Sequence, residues 1–154
     1  MQKDNGFTLV EMMTVIAIMA IVSAIAIPNF YSYAAGMKLR NAGRDLYSTL
    51  QNTRMNAIRQ NVRWAVRFNG AASYQVIDCG TDNTCGTADD DNSGASIRPT
   101  TNISQYAGIN MTSFPARVEF YPDGTSNGGT INFVDSRGRT SQVVVSVSGR
   151  VKSS

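Results

Sequence analysis

Residues 7–27, FTLVEMMTVIAIMAIVSAIAI, are apolar or small and uncharged except for one carboxylate, Glu11. A helix of this length, rising about 1.5 Å per residue, spans about 30 Å, the thickness of a bilayer's hydrocarbon core. Secretory signal peptides have a shorter apolar core, about 7–15 residues, closed by a small-residue cleavage site. This run is longer and no clear A-x-A site ends it, so it reads as an anchor that stays in the membrane. Lys3 precedes it, which favours a cytoplasmic N-terminal end with the rest of the chain on the far side. Glu11 is the residue to be explained. A carboxylate inside a membrane helix costs on the order of 3 kcal/mol, and such groups either reach the interface or are held by a partner.

The remainder of the 154-residue chain differs in kind. It is polar, rich in Gly, Ser, Thr and Asn, and suited to one soluble β-rich domain rather than to further membrane passes. There is no histidine, which removes the commonest general base, most zinc sites and every Ser-His or Cys-His nucleophile pair. The two cysteines, Cys79 and Cys85, have a spacing that matches no standard zinc or redox motif. Downstream of a membrane-targeting segment they read as one disulfide in an oxidising compartment.

The formal net charge of +3 is unevenly distributed. Lys38, Arg40, Arg44, Arg54, Arg59, Arg63 and Arg67 are accompanied by a single acid, Asp45. Asp78, Asp82, Asp89, Asp90 and Asp91 then follow with no cation among them. A basic run of this kind is most simply a solvated face; contact with nucleic acid or an anionic membrane is the sharper alternative.

Pro28 lacks an amide hydrogen and clashes with the preceding turn, so a kink or local break is expected there. Beyond it Leu39, Ala42, Leu46, Leu50, Thr53 and Ala57 recur every three or four residues, which predicts an amphipathic helix to about Gln60. A strand is predicted at 62–68, where Trp64, Val66 and Phe68 alternate with Arg63, Ala65 and Arg67. The Asn69-Gly70 turn leads to a partner strand at 73–79. Residues 79–99, poor in apolar side chains, read as an exposed loop pinned at its start by a Cys79–Cys85 ring. Further strands are predicted at 117–121, 130–134 and 142–147, separated by Asp123-Gly124, Gly128-Gly129 and Arg137-Gly138, with a last short strand including Val151. The expected fold is α+β: an N-terminal helix, membrane-spanning in its first half and amphipathic in its second, packed on antiparallel β-sheet.

The string Gly6-Phe7-Thr8-Leu9-Val10-Glu11, after a short polar leader containing Lys3, resembles the class III signal of type IV pilins and type II secretion pseudopilins. The resemblance implies that a prepilin peptidase cuts between Gly6 and Phe7 and that the new N-terminal Phe7 is N-methylated. It also implies that Glu11 pairs with the Phe7 amine of a neighbouring subunit during assembly. An ammonium and a carboxylate attract strongly where the dielectric is low, which gives such pairing a physical basis. On this resemblance the chain divides into a leader, 1–6; a transmembrane and assembly helix, 7–28; an amphipathic continuation, 29–61; and a periplasmic β-rich domain, 62–154. It would be a single-pass protein of the bacterial inner membrane that enters a pseudopilus or pilus. Its implied partners are other pilins or pseudopilins, the prepilin peptidase, an inner-membrane assembly platform and the lipid bilayer, with no cofactor.

The C-terminal stretch FYPDGTSNGGTINFVDSRGRTSQVVVSVSGRVKSS narrows the resemblance to the GspH/FimT family of minor pilins and pseudopilins. Phe120 and Asp123-Gly124 resemble the family's aromatic-x-x-Gly turn, and Gly149-Arg150-Val151-Lys152 resembles its closing Gly-Arg-x-Arg/Lys. The resemblance implies a structural subunit that initiates or caps a filament, for protein secretion or pilus biogenesis, and not an enzyme. Some such subunits contact DNA for uptake, and Arg150 and Lys152 occupy the corresponding basic motif. Lys152 stands where the pattern usually has arginine, keeping the charge but losing the planar fork. The plainer reading is a strand ending in a solvated charge. Asp89, Asp90 and Asp91 offer hard oxygen ligands for calcium, but not at EF-hand spacing, and a solvated acidic loop is the simpler reading.

Overall fold

The computed structural model describes residues 7–80, 84–85 and 100–154, apart from the side chains at 28, 29, 32 and 104. By its contacts the chain forms two units, Met1–Gly36 and Met37–Ser154. Helix α1 (Leu9–Gln60) contributes residues to both.

In the first unit every side chain from Phe7 to Ile27 is exposed, although most are apolar. Such a surface suits lipid or other helices rather than water. The segment Leu9–Ile27, 19 residues of mean hydropathy 2.4, is long and apolar enough to cross a membrane. Helical structure passes through Pro28 without a break, and the side chain there lies outside the described residues.

In the second unit α1 turns amphipathic. Leu39, Ala42, Leu46, Leu50, Thr53 and Ala57 are all buried, as the three- and four-residue spacing predicts. Each buried leucine contributes about 2 kcal/mol relative to exposure. The helix stops at Asn61, whose φ of 55° lies in the left-handed region that asparagine tolerates at helix ends. This terminator delays the first strand, which begins at Trp64 rather than at the predicted position 62.

Among the described residues eight strands follow: β1 (Trp64–Phe68), β2 (Ser73–Asp78), β3 (Thr101–Asn102), β4 (Ile109–Ser113), β5 (Arg117–Phe120), β6 (Gly129–Asp135), β7 (Thr140–Val145) and β8 (Val151–Ser153). They make two four-stranded sheets, ordered β3-β2-β1-β5 and β4-β6-β7-β8, with every pairing antiparallel. Val66 lies opposite Val76 on one side and Val118 on the other, giving a row of valines across the first sheet. Ile131 lies opposite Val143 in the second. These rows and the buried face of α1 enclose one core with Tyr74, Phe120 and Phe133.

Two strands escape the sequence pattern. β3 is two residues long, and β4 is polar except for Ile109 and Met111, which are buried at alternate positions before a bulge interrupts the register. The second sheet gains its β4 edge from this segment. β7 ends at Val145 instead of continuing to 147, because Gly149 N donates to Ser146 O at 2.8 Å and Ser146 N to Arg150 O at 2.9 Å, closing a turn.

Ala65, which alternation places on the outer face of the first sheet, is nevertheless buried. With Ile77, Cys79 and Cys85 it forms a second, small apolar cluster. The Cys79–Cys85 disulfide closes there with its Cα atoms 4.4 Å apart. Arg117 fastens this ring by donating to Cys85 O at 2.7 Å, and pairs with Glu119 at 2.6 Å. Arg63 reaches the same carboxylate at 3.6 Å and lies over the Tyr121 ring, 4.7 Å from its centre. The acidic candidates Asp89, Asp90 and Asp91 lie outside the described residues.

Candidate functional site

Among the described residues of the first unit the one charged side chain, Glu11, lies in the first turn of α1. Thr8 immediately precedes α1 and Glu11 stands three residues later, the Thr-x-x-Glu pattern of a capping box. Glu11 N donates to Thr8 Oγ1 at 3.2 Å, and Thr8 N donates to Glu11 Oε2 at 3.3 Å. The Thr8 hydroxyl donates to the same carboxylate oxygen at 3.2 Å. Two amides that a helix end leaves unpaired are thereby satisfied, and the negative charge sits at the positive end of the helix dipole. Phe7, just before this cap, is 83% exposed, and Gly6 lies outside the described residues. After Glu11 the next charged residue in the chain is Lys38.

In the second unit the two glycines of the C-terminal pattern meet. Gly124 ends the turn after β5, with φ 82° and its N donating to Tyr121 O at 2.9 Å. Gly149 closes the β7–β8 turn with φ 75°. A β-carbon on Gly149 would overlap Gly124 O and come within 2.9 Å of Arg54 Nε. Arg54 Nε itself donates to Gly124 O at 2.9 Å, so α1 and both turns converge on one carbonyl. Glycine is required at 149 for its backbone angle and for the missing side chain. Arg150 and Lys152 follow at once, both exposed on one side of β8, while Val151 between them is buried. Arg54 was legible only as part of a polar helix face; its partner lies 70 residues away.

The β6–β7 turn, at the other end of β7, is organised by Asp135, which is buried. It accepts from the amides of Arg137 and Arg139 at 2.9 and 2.8 Å and from Arg139 Nε at 2.7 Å. Burial alone would raise its pKa, but the donors from Arg139 and Arg137 outweigh that and hold the carboxyl below its usual value.

Asp45, the only acid of the basic run, accepts a hydrogen bond from the Tyr106 hydroxyl. That bond, with burial adding to it, pushes the Tyr106 pKa up to about 12. Tyr74 stands nearby, its hydroxyl 3.4 Å from Thr49 Oγ1, and burial raises its pKa too. Among the described residues no group of His, Cys, Asp or Glu is arranged to hold a metal ion.

Comparison with known proteins agrees with this architecture. Residues 42–149 match the family of the type II transport protein GspH, and residues 1–27 match the prokaryotic N-terminal methylation motif. The type IV major pilin protein PilA of Myxococcus xanthus is 48% identical over 44 residues, 29% of this chain and 20% of that protein. A fimbrial protein of Pseudomonas aeruginosa is 40% identical over 58 residues, 38% of this chain and 37% of the relative. The chain thus spans well under two thirds of the length of these curated relatives. Among solved structures, the type IV minor pilin FimU of Pseudomonas aeruginosa has a TM-score of 0.59 at 14% identity, covering 78% of this chain and 90% of FimU. The minor pseudopilin EpsH of the Vibrio cholerae type 2 secretion system gives 0.56 at 11% identity, covering 76% and 96%. At such identities the likeness shows the pilin-like fold. Pilins and pseudopilins are structural subunits and not enzymes. Since the family match covers the greater part of the sequence, behind an N-terminal methylation motif, the chain belongs to the GspH family.

Proposed function

We propose that this protein is a minor subunit that initiates or caps a type II secretion pseudopilus or a type IV pilus, supporting protein secretion or pilus biogenesis. One observation carries the reading: an exposed apolar helix headed by Phe7–Glu11 is joined, in one chain, to a GspH-type domain. On this reading a prepilin peptidase cuts between Gly6 and Phe7, and Phe7 is N-methylated. Glu11, held by Thr8 in the single chain, then exchanges that partner for the Phe7 amine of a neighbouring subunit. Leu9–Ile27 anchors the chain in the inner membrane, and the second unit lies in the periplasm, where a Cys79–Cys85 disulfide is stable. The inner-membrane assembly platform and other pilins or pseudopilins are its partners. Deleting the gene tests this. Loss of secretion or of surface filaments, restored by the whole chain, is expected; cells that secrete and assemble filaments normally without it would contradict the reading.

The shared exposed face of Arg150 and Lys152 favours a second reading, in which a subunit of this kind contacts DNA during uptake. Such binding would rest on phosphates and weaken steeply with salt. A mobility shift of duplex DNA by the whole chain in detergent tests it: absence of any shift at low salt removes this reading.

A further inference from the structure

Three cations at the start of the second unit have no role so far. Lys38, Arg40 and Arg44 are exposed and make no ion pair or hydrogen bond among the described residues. The acid beside them, Asp45, makes no ion pair with them; its carboxylate accepts from the Tyr106 hydroxyl. Of the other cations of the run, Arg54 is engaged on Gly124 O, Arg63 on Glu119 and Arg67 on Gln75, while Arg59 is exposed in the last turn of α1, farther along the helix. A surplus of three positive charges within seven residues is left.

Their placement on α1 matters. Arg40 and Arg44 are one turn apart and share a side, Lys38 flanks the opposite edge of the exposed arc, and Leu39 and Ala42 fill the buried side. The cations therefore surround the solvent face of the helix. Helical side chains lean toward the helix N-terminus, the direction in which the chain leads back to Leu9–Ile27. Only ten residues, 28–37, separate Ile27 from Lys38, and none is charged. Even fully extended, ten residues reach no more than about 35 Å. Connectivity alone thus leaves the cations within reach of the membrane face, at the effective concentration of a short tether, where individually weak contacts add up.

We propose that Lys38, Arg40 and Arg44 form a collar that binds the anionic phospholipid headgroups of the leaflet facing the second unit. The two guanidinium forks suit phosphodiester oxygens, and Lys38 adds a compact charge. Nucleic acid offers the same phosphates, but the short uncharged tether to the span favours the bilayer. The collar rests on the reading of Leu9–Ile27 as a membrane span.

The test places the whole chain in nanodiscs of phosphatidylcholine alone, or with about one third phosphatidylglycerol to supply a negative surface. Acylation of Lys38 by a water-soluble amine reagent is followed by mass spectrometry, with Lys152 as internal reference. Lys38 is expected to react several-fold more slowly, relative to Lys152, in the anionic discs. High salt and the double variant Arg40→Gln/Arg44→Gln should each restore its rate. Equal Lys38 rates in both discs, or a slowing that survives high salt and the double variant, overturns the collar. Slower acylation of Lys38 on adding duplex DNA, read as its absolute rate because Lys152 is itself a DNA candidate, without slowing by phosphatidylglycerol also overturns it, in favour of nucleic acid. Failure to enter either disc overturns the span itself and the collar with it.

Discussion

Gly149 rests against the carbonyl oxygen of Gly124, and Arg54 donates to that same oxygen at 2.9 Å. The contact ties the last turn of the chain to the turn after β5 and to α1. It gives the Gly149-Arg150-Val151-Lys152 motif a structural reason for its first residue, separate from anything its cations do. Gly149→Ala forces a β-carbon into a backbone carbonyl at a φ of 75°. A loss of about 3 kcal/mol or more is expected from the strain and overpacking together. That corresponds to a thermal midpoint lowered by about 10 °C. An unchanged midpoint for the whole chain in detergent would contradict the contact. Arg54→Ala, which removes one half-exposed donor, should cost less, about 1 kcal/mol.

The Cys79–Cys85 ring covers Ala65 and Ile77 and is latched by Arg117. Closing a loop this short restricts the unfolded chain by about 2 kcal/mol. The double variant Cys79→Ser/Cys85→Ser should therefore unfold at a lower temperature than the oxidised wild type. Reduction of the wild type should lower its midpoint by a similar amount, as calorimetry with and without reductant can read.

The Tyr106 hydroxyl donates to Asp45, so ionising the tyrosine breaks a bond that exists only in the folded state. Its folded pKa is raised from 10.0 to about 12. The contribution is fully present below pH 10.0 and lost as pH rises through the folded value near 12. Spectrophotometric titration should show late-titrating absorbance from Tyr106 and the buried Tyr74, and Tyr106→Phe should remove the Tyr106 part of it. The variant should also lose less of its own stability than the wild type as pH is raised through that window.

Much of this architecture was legible because burial imposes a period on the residues that suffer it. Leu39 through Ala57 repeat at helical spacing because one face of α1 is enclosed, and Trp64, Val66 and Phe68 alternate because β1 lies on the core. Ala65 broke that pattern because the disulfide ring covers the outer face, which alternation alone does not reveal. β4 was hidden by its polarity, with Ile109 and Met111 its only buried signal before the bulge. Arg54 could not be matched to Gly124 because nothing local in the sequence joins them. The capping box of Thr8 and Glu11 emerges only from the structure, because the same letters spell the processing motif.

Glu11 remains the central residue. In the single chain its carboxylate is hydrogen-bonded by Thr8 but has no ion-pair partner among the described residues, and on the proposed function the Phe7 amine of a neighbouring subunit supplies one. Glu11→Ala leaves the Thr8 amide without its acceptor, a cost of about 1 kcal/mol at the helix start, and leaves the apolar span untouched. The most direct measurement is the distribution of the Glu11→Ala chain between the inner-membrane fraction and sheared filaments, beside the wild type. Wild-type levels in the membrane and a chain lost from the filaments are expected; incorporation at the wild-type level would contradict the pairing of Glu11 with a neighbouring Phe7 amine.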